Sequence, residues 1–285
     1  MARVASRWEG PPSDGLWKPC FARVDGSWPP ARVTGGVTMV IDKGVPPAYF
    51  LDLLEMAAPH VQLWKLAFAS ALLYRPDAVL AKVEAGRAMG VEVYAGGTLL
   101  ELSRVLGDPE EVLAHLKRLG FAWVEVSNGT FDLGVDERLA LIASAREQGF
   151  RVLTEVGSKD PGRPFRPEDA AEQVELDLDA GAEWVIIEAR DSGRGVGIFD
   201  EEGRLRVAEW QRLAQLLSRP GRVIWEAPGV EQQRELLLRL GPDVGLGNVQ
   251  VGDVLTLAAM RWGLRADTLR PWAAALTPGC TADNM

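Results

Sequence analysis

Trp123-Val124-Glu125-Val126-Ser127-Asn128-Gly129 and Arg151-Val152-Leu153-Thr154-Glu155-Val156-Gly157 are two short, apolar, β-branched runs, each with a glutamate set among apolar residues. Between them, Glu137–Gln148 repeats its apolar residues three and four apart, and Gly149 stands where such a helix stops. A strand, a helix and a second strand within about 30 residues read as a parallel βαβ unit.

The same texture extends in both directions. Thr38–Gly44, Val61–Ala67, Val91–Gly97, Trp184–Arg190, Arg222–Pro228 and Val244–Gln250 complete a set of eight candidate strands. Helical spacing recurs in Glu110–Leu119 and Glu231–Leu240, and Gly90, Gly120, Gly181 and Gly241 are further helix stops. Strands this apolar are buried on both faces, so the expected fold is a parallel sheet covered by helices. Eight is the number at which such a sheet closes on a side-chain-filled interior, which predicts a (β/α)8 TIM barrel over residues 37–272. An open doubly wound sheet is the alternative, although no GxGxxG follows the first strand. Residues 1–36, with five prolines and no apolar period, read as an irregular N-terminal arm, and 273–285 as a C-terminal tail.

Composition narrows the class of function. The 285 residues are 47% hydrophobic with a net charge of −9, which argues against a nucleic-acid binder, since phosphate neutralisation needs a basic surface. Cys20 and Cys280 lie near opposite ends without zinc spacing, so neither a disulfide framework nor a cysteine metal site is expected. With no signal-peptide pattern and no apolar run of membrane-spanning length, a cytoplasmic setting is expected, and no membrane partner. Trp8, Trp17 and Trp28 make the arm apolar for a solvated tail. Packing on the barrel or on another copy follows, which keeps a homo-oligomer among the expectations.

In a parallel barrel, chemistry sits at the C-terminal strand ends. Those ends carry Asp42 and Lys43, Lys65, Gly96-Gly97-Thr98, Glu125 and Ser127, Glu155 with Lys159 beyond, Glu188 and Arg190, Glu226, and Asn248. Charge is ordinary where strands meet water. Glutamates 125, 188 and 226, however, each follow an apolar residue within the strand, and Glu155 follows Thr154 inside an otherwise apolar run, where an unpaired ion incurs desolvation. Such a ring can be neutralised by lysine and arginine or can hold a hard divalent cation, and magnesium suits oxygen donors. Zinc and a serine–histidine triad are disfavoured, because His60 and His115 fall outside the strand ends. The Gly-rich segment 189–197, with Arg190, Ser192 and Arg194, could present backbone N–H groups and charge to an anion. A second anion candidate follows strand eight, where Arg261 and Arg265 are four residues apart.

At these residues the sequence resembles the phosphosulfolactate synthase family. The resemblance runs from about Thr38 to Thr268 and rests on Asp42-Lys43-Gly44, Gly96-Gly97-Thr98-Leu99 before Glu101, Glu125-Val126-Ser127-Asn128-Gly129, Glu155-Val156-Gly157-Ser158-Lys159, Glu188-Ala189-Arg190 with Ser192-Gly193, Glu226-Ala227-Pro228 with Gln232-Gln233, and Gly263-Leu264-Arg265 before Asp267-Thr268. It implies a (β/α)8 barrel, magnesium as cofactor, and addition of sulfite to phosphoenolpyruvate to give (2R)-phospho-3-sulfolactate, a step towards coenzyme M. It also implies Lys159 as the general acid that protonates C2. Two departures stand out: Lys65-Leu66-Ala67-Phe68-Ala69-Ser70 replaces the family's Lys-Phe-Gly-Trp-Gly-Thr, and Met260-Arg261 follows Ala258-Ala259 without the family's glutamate.

Because the substrates are anions, the site must supply excess positive charge. The expected metal ligands are Glu155, Glu188 and Asp42. Arg190, Arg261 and Arg265 are expected on phosphate, Lys43 or Lys65 on sulfite, and Ser192 and Asn248 as further substrate contacts. Two rivals remain: a relative that adds another nucleophile to an enol phosphate, and a non-catalytic, stress-related homologue.

Overall fold

The computed structural model describes residues 36–131, 133–158, 162 and 164–276, with side chains to residue 271. The arm to residue 35 and the tail from residue 277, with both cysteines, lie outside the described residues, as does Lys159.

All eight expected runs contain strands: β1 (Thr38–Asp42), β2 (Leu63–Leu66), β3 (Glu92–Ala95), β4 (Trp123–Ser127), β5 (Arg151–Val156), β6 (Trp184–Ile187), β7 (Val223–Glu226) and β8 (Gly245–Gln250). The helices are α1 (Pro47–Ala57), α2 (Pro76–Ala88), α3 (Thr98–Leu106), α4 (Pro109–Arg118), α5 (Val135–Glu147), α6 (Pro167–Ala180), α7 (Val207–Leu216), α8 (Val230–Leu240), α9 (Val254–Arg261) and α10 (Ala266–Leu276). Most runs extend past the C-terminal limit of their strand. In Trp184–Arg190 the ladder stops at Ile187, and Glu188, Ala189 and Arg190 turn away at the rim.

Local chemistry sets the helix ends. Proline opens α1, α2, α4 and α6, where its fixed φ suits the first turn and the missing N–H costs nothing. Gly181, at φ 102°, ends α6 in the left-handed region, and its N–H and that of Ala182 satisfy the carbonyls of Leu178 and Asp177.

The strands pair in the order β3-β2-β1-β8-β7-β6-β5-β4, every ladder parallel. Pairing of β1 with β8 joins the first and last βα units, so the sheet curls into a barrel rather than lying open. The remaining boundary, β3 against β4, has no ladder and is bridged by a side chain. Glu125 on β4 accepts from Tyr94 Oη at 3.0 Å and from the Gly97 N–H at 2.8 Å. Alternation along the strands then divides the barrel. Val40 and Trp64 face α1, where Trp64 meets Phe50 edge-on at 4.7 Å, whereas Lys65 and Tyr94 face the interior. Full burial of side chains such as Phe50, Leu54 and Val40 contributes roughly 1.5–3 kcal/mol each.

Candidate active site

The lower barrel interior is apolar, with Met39, Leu153, Ile186 and Ile224 buried. One step towards the strand C-termini it becomes ionic, because the next inward positions on β2, β4, β5 and β7 are Lys65, Glu125, Glu155 and Glu226, and Glu188 follows β6. These five side chains are all buried. Lys65 Nζ lies 3.0 Å from Glu125 Oε1, 3.1 Å from Glu155 Oε2 and 3.4 Å from Glu226 Oε1. Burial alone would lower the lysine pKa. The three carboxylates outweigh it and push it well above its ordinary value, so Lys65 is a fixed cation. Burial raises the Glu125 pKa, and nearby Glu155 adds to this while Lys65 opposes it. Burial also pushes the Tyr94 phenol well up, with the Glu125 charge reinforcing it.

One carboxylate oxygen from each of Glu155, Glu188 and Glu226 lies within 4.8 Å of the others. An all-oxygen, multiply anionic donor set fits a hard divalent cation such as magnesium and does not fit a soft one. The structure thus brings Glu155 and Glu188 together, and adds Glu226. Asp42 is placed differently. Ile41 pairs with inward-facing Lys65, so its neighbour Asp42 faces the helices. There its carboxylate accepts from the N–H groups of Gly44 and Val45, from Trp64 Nε1 at 2.8 Å and from Lys82 Nζ on α2 at 2.5 Å. Four donors occupy both oxygens, and Asp42 is a loop anchor outside the carboxylate group.

Around the rim, Lys43 Nζ pairs with Asp191 at 3.0 Å, linking the β1 and β6 loops, and Ser192 beside it is exposed. Arg190 sits at φ 61°, with its N–H donating to Glu188 Oε1 and its carbonyl accepting from Asn248 Nδ2 at 3.4 Å. Asn248 is buried at φ 53°, and its Oδ1 has no hydrogen-bond partner among the described residues, an acceptor open to a bound donor. The Gly-rich segment is folded rather than loose. The Gln232 amide donates to the carbonyls of Gly193 and Gly203, and a bridge joins Phe199 to Leu205.

Arg261 and Arg265 lie elsewhere. After β8 the chain reverses, and the eight residues of α9 descend about 12 Å to the other end of the barrel. Arg261 is buried there against the carbonyls of Pro242 and Val37, which precede β8 and β1. Burial lowers its pKa to about 10 against the pull of Asp243. Arg265 pairs with Asp267. Neither guanidinium is at the rim, which corrects the expectation that they hold phosphate. A cavity of about 550 Å³ also opens at this far end, near Arg146, Arg151, Arg219 and Arg222. Within it Arg151 is paired with Glu183, and Arg219 with Glu175 and Asp179.

Sequence reasoning missed three contributors. Glu101 on α3 is buried, lies 2.6 Å from Ser127 Oγ and accepts from the N–H groups of Thr130 and Phe131; the same hydroxyl is 2.9 Å from Glu155 Oε1. Lys82 and Arg138 are fully buried cations on α2 and α5, paired with Asp42 and Asp177. A charge on the apolar stripe of a helix is the signal that could have found them.

The chain is similar to several known proteins. Residues 29–267 match the family model described as (2R)-phospho-3-sulfolactate synthase. The chain is 43% identical to a phosphosulfolactate synthase of Methanothermobacter thermautotrophicus over 82% of its length and 91% of the relative. It is 33% identical to that of Bacillus subtilis over 82% and 92%. Among solved structures, 3-hexulose-6-phosphate synthase of Salmonella typhimurium superposes with a TM-score of 0.50 at 16% identity, covering 82% of this chain and 94% of that one. KGPDC of Streptococcus mutans gives 0.50 at 14%, covering 83% and 99%. These two likenesses concern the fold. No helix among the described residues is long and apolar enough to cross a membrane.

Proposed function

The chain belongs to the (2R)-phospho-3-sulfolactate synthase family of enzymes, and on that premise we propose that it is a cytoplasmic, magnesium-dependent lyase that joins sulfite to phosphoenolpyruvate. The observation that carries this reading is the group of three buried carboxylates, Glu155, Glu188 and Glu226, at the ends of adjacent strands in a chain of this family.

In the reaction the sulfite sulfur lone pair forms a bond to C3 of phosphoenolpyruvate. The C2–C3 π electrons move towards the substrate carboxylate, and a proton then arrives at C2. No group leaves, and the product keeps its phosphate. Glu155, Glu188 and Glu226 would hold magnesium, whose charge offsets that developing on the carboxylate. Lys159, four residues beyond Glu155, is the proposed proton donor. Lys65, held protonated among carboxylates, keeps those carboxylates together and does not release a proton. Lys43, Arg190, Ser192 and Asn248 surround the mouth and are the proposed contacts for the anionic substrates; a homo-oligomeric state is part of the same reading.

The test is phosphoenolpyruvate consumption with sulfite and magnesium, with the sulfonate identified by NMR. Lys159→Ala should lose at least about 100-fold in kcat, the usual contribution of a positioned acid. A purified, folded protein that yields no sulfonate with magnesium present overturns the proposal. A screen of other nucleophiles addresses the second reading. Phe68, in the segment that departs from the family pattern, is exposed on the rim at φ 58°, where a different nucleophile would meet a different surface.

A further inference from the structure

Arg138 and Asp177 are both wholly inaccessible to solvent, in the layer between α5, α6 and the outer face of β5. The guanidinium grips Asp177 with two parallel bonds, Nε to Oδ1 at 2.8 Å and Nη2 to Oδ2 at 2.5 Å, and Gln173 Nε2 adds a third donor to Asp177 at 2.8 Å. It does not stop there. Nη2 also donates to the carbonyl of Glu155 at 3.1 Å, and Nη1 to Asn128 Oδ1 at 3.2 Å.

Stability alone does not account for this pair, because two well-packed apolar side chains serve as well as or better than a buried ion pair. The two additional bonds give it another purpose. The β4–β5 ladder ends at the pair Ser127 and Glu155, and the guanidinium takes the Glu155 carbonyl where that ladder runs out. Its other arm holds Asn128, next to Ser127, whose hydroxyl reaches the Glu155 carboxylate. One peptide on, the Val156 carbonyl accepts from the Glu188 N–H at 3.0 Å. Gly157 follows at φ 134°, so close to Glu188 that an added Cβ would lie 2.7 Å from the glutamate Cβ. The backbone from 155 to 157 is therefore held from both sides, and it fixes how far the Glu155 side chain stands from that of Glu188. A planar fork can make all four bonds together; an ammonium on a flexible stem cannot.

We propose that Arg138, oriented by Asp177, is a positioning residue that sets the spacing of Glu155 and Glu188 for the divalent cation, acting through the Glu155 carbonyl and Asn128. This rests on the magnesium reading above. The test is titration of the metal-free protein with Mn2+, read from the EPR signal of free Mn2+, alongside the thermal midpoint of each variant. Arg138→Lys should weaken Mn2+ binding about 10–100-fold, the usual effect of removing a group that orients a metal ligand. Asn128→Ala, at a half-buried position, should weaken it in the same direction by a smaller factor, with the thermal midpoint little changed. A merely structural Arg138 would lower the midpoint and leave Mn2+ affinity at its wild-type value; that result overturns the proposal. If Arg138→Lys does not fold, wild-type affinity in Asn128→Ala overturns it in the same way. Failure of the magnesium reading looks different: the wild type itself, like Glu188→Gln, would bind no Mn2+.

Discussion

Buried charge is organised in two ways in this barrel. Two pairs in the helix–sheet layer are balanced one to one, Lys82 with Asp42 and Arg138 with Asp177, and Asp42, Arg138 and Asp177 are tied in addition to backbone or to further side chains. In the barrel interior the strands and their ends supply four carboxylates, Glu125, Glu155, Glu188 and Glu226, and one ammonium, Lys65. Burying an ion costs several kcal/mol unless it is paired, so a balanced pair calls for no further charge, whereas a four-to-one layer is completed only by charge from outside the strands. A loop cation, a metal ion or both would complete it. The ratio of charges, more than the presence of charge, separates the anchors from the site.

That contrast can be broken by substitution. The largest effect is expected from Glu188→Gln, which removes a proposed cation ligand: activity should fall more than about 100-fold with the fold intact, measured by steady-state kinetics and circular dichroism. Asp177→Asn leaves the Arg138 charge without its counter-ion and should cost about 3–5 kcal/mol in urea unfolding of the metal-free protein, with none of the loss returned on adding magnesium. Lys65→Met leaves the interior carboxylates without the strand-borne cation. A loss of about 3 kcal/mol is expected in metal-free buffer, with part of it returned on adding magnesium. Added metal should recover stability in the interior variant alone, and an equal recovery in both would dissolve the distinction.

A smaller effect of opposite sign is expected from Glu125→Gln. The folded state holds the Glu125 proton to higher pH than the unfolded chain does, so this residue's contribution to stability is present below the ordinary carboxylate pKa and declines as pH rises through the raised value. The amide should stabilise the metal-free protein at neutral pH and flatten that decline, read from unfolding midpoints between pH 4 and 8. Least of all, Arg265→Ala at the far end should leave the KM for phosphoenolpyruvate within about twofold.

The strands and most of the rim were legible because burial leaves a periodic mark. Apolar runs at regular intervals marked β1 to β8, and a glutamate inside such a run marked an ion that the fold must accommodate. Asp42 was misjudged because it terminates its run as the glutamates do, and only the pairing of Ile41 with Lys65 shows that Asp42 lies one residue off the inward-facing set. Arg261 was misjudged because nearness in sequence to the end of β8 was taken for nearness in space, and α9 carries the chain away. Glu226 was legible as a strand-end carboxylate, but its company was not. That it meets Glu155 and Glu188 depends on strand order and closure, which a linear reading supplies only as a hypothesis.

By itself, then, the sequence determined the number of strands, their alternation with helices, the parallel barrel and the chemical character of its rim. These follow from local propensity and from the burial each segment demands. Tertiary structure alone decided which charges face inward, which carboxylates share one space, and that Arg138 reaches the rim from behind. Those outcomes depend on strand register and helix placement, where a shift of one residue turns a side chain to the opposite face, and where residues 17 or 39 apart, such as Arg138 with Glu155 and with Asp177, come within hydrogen-bond distance.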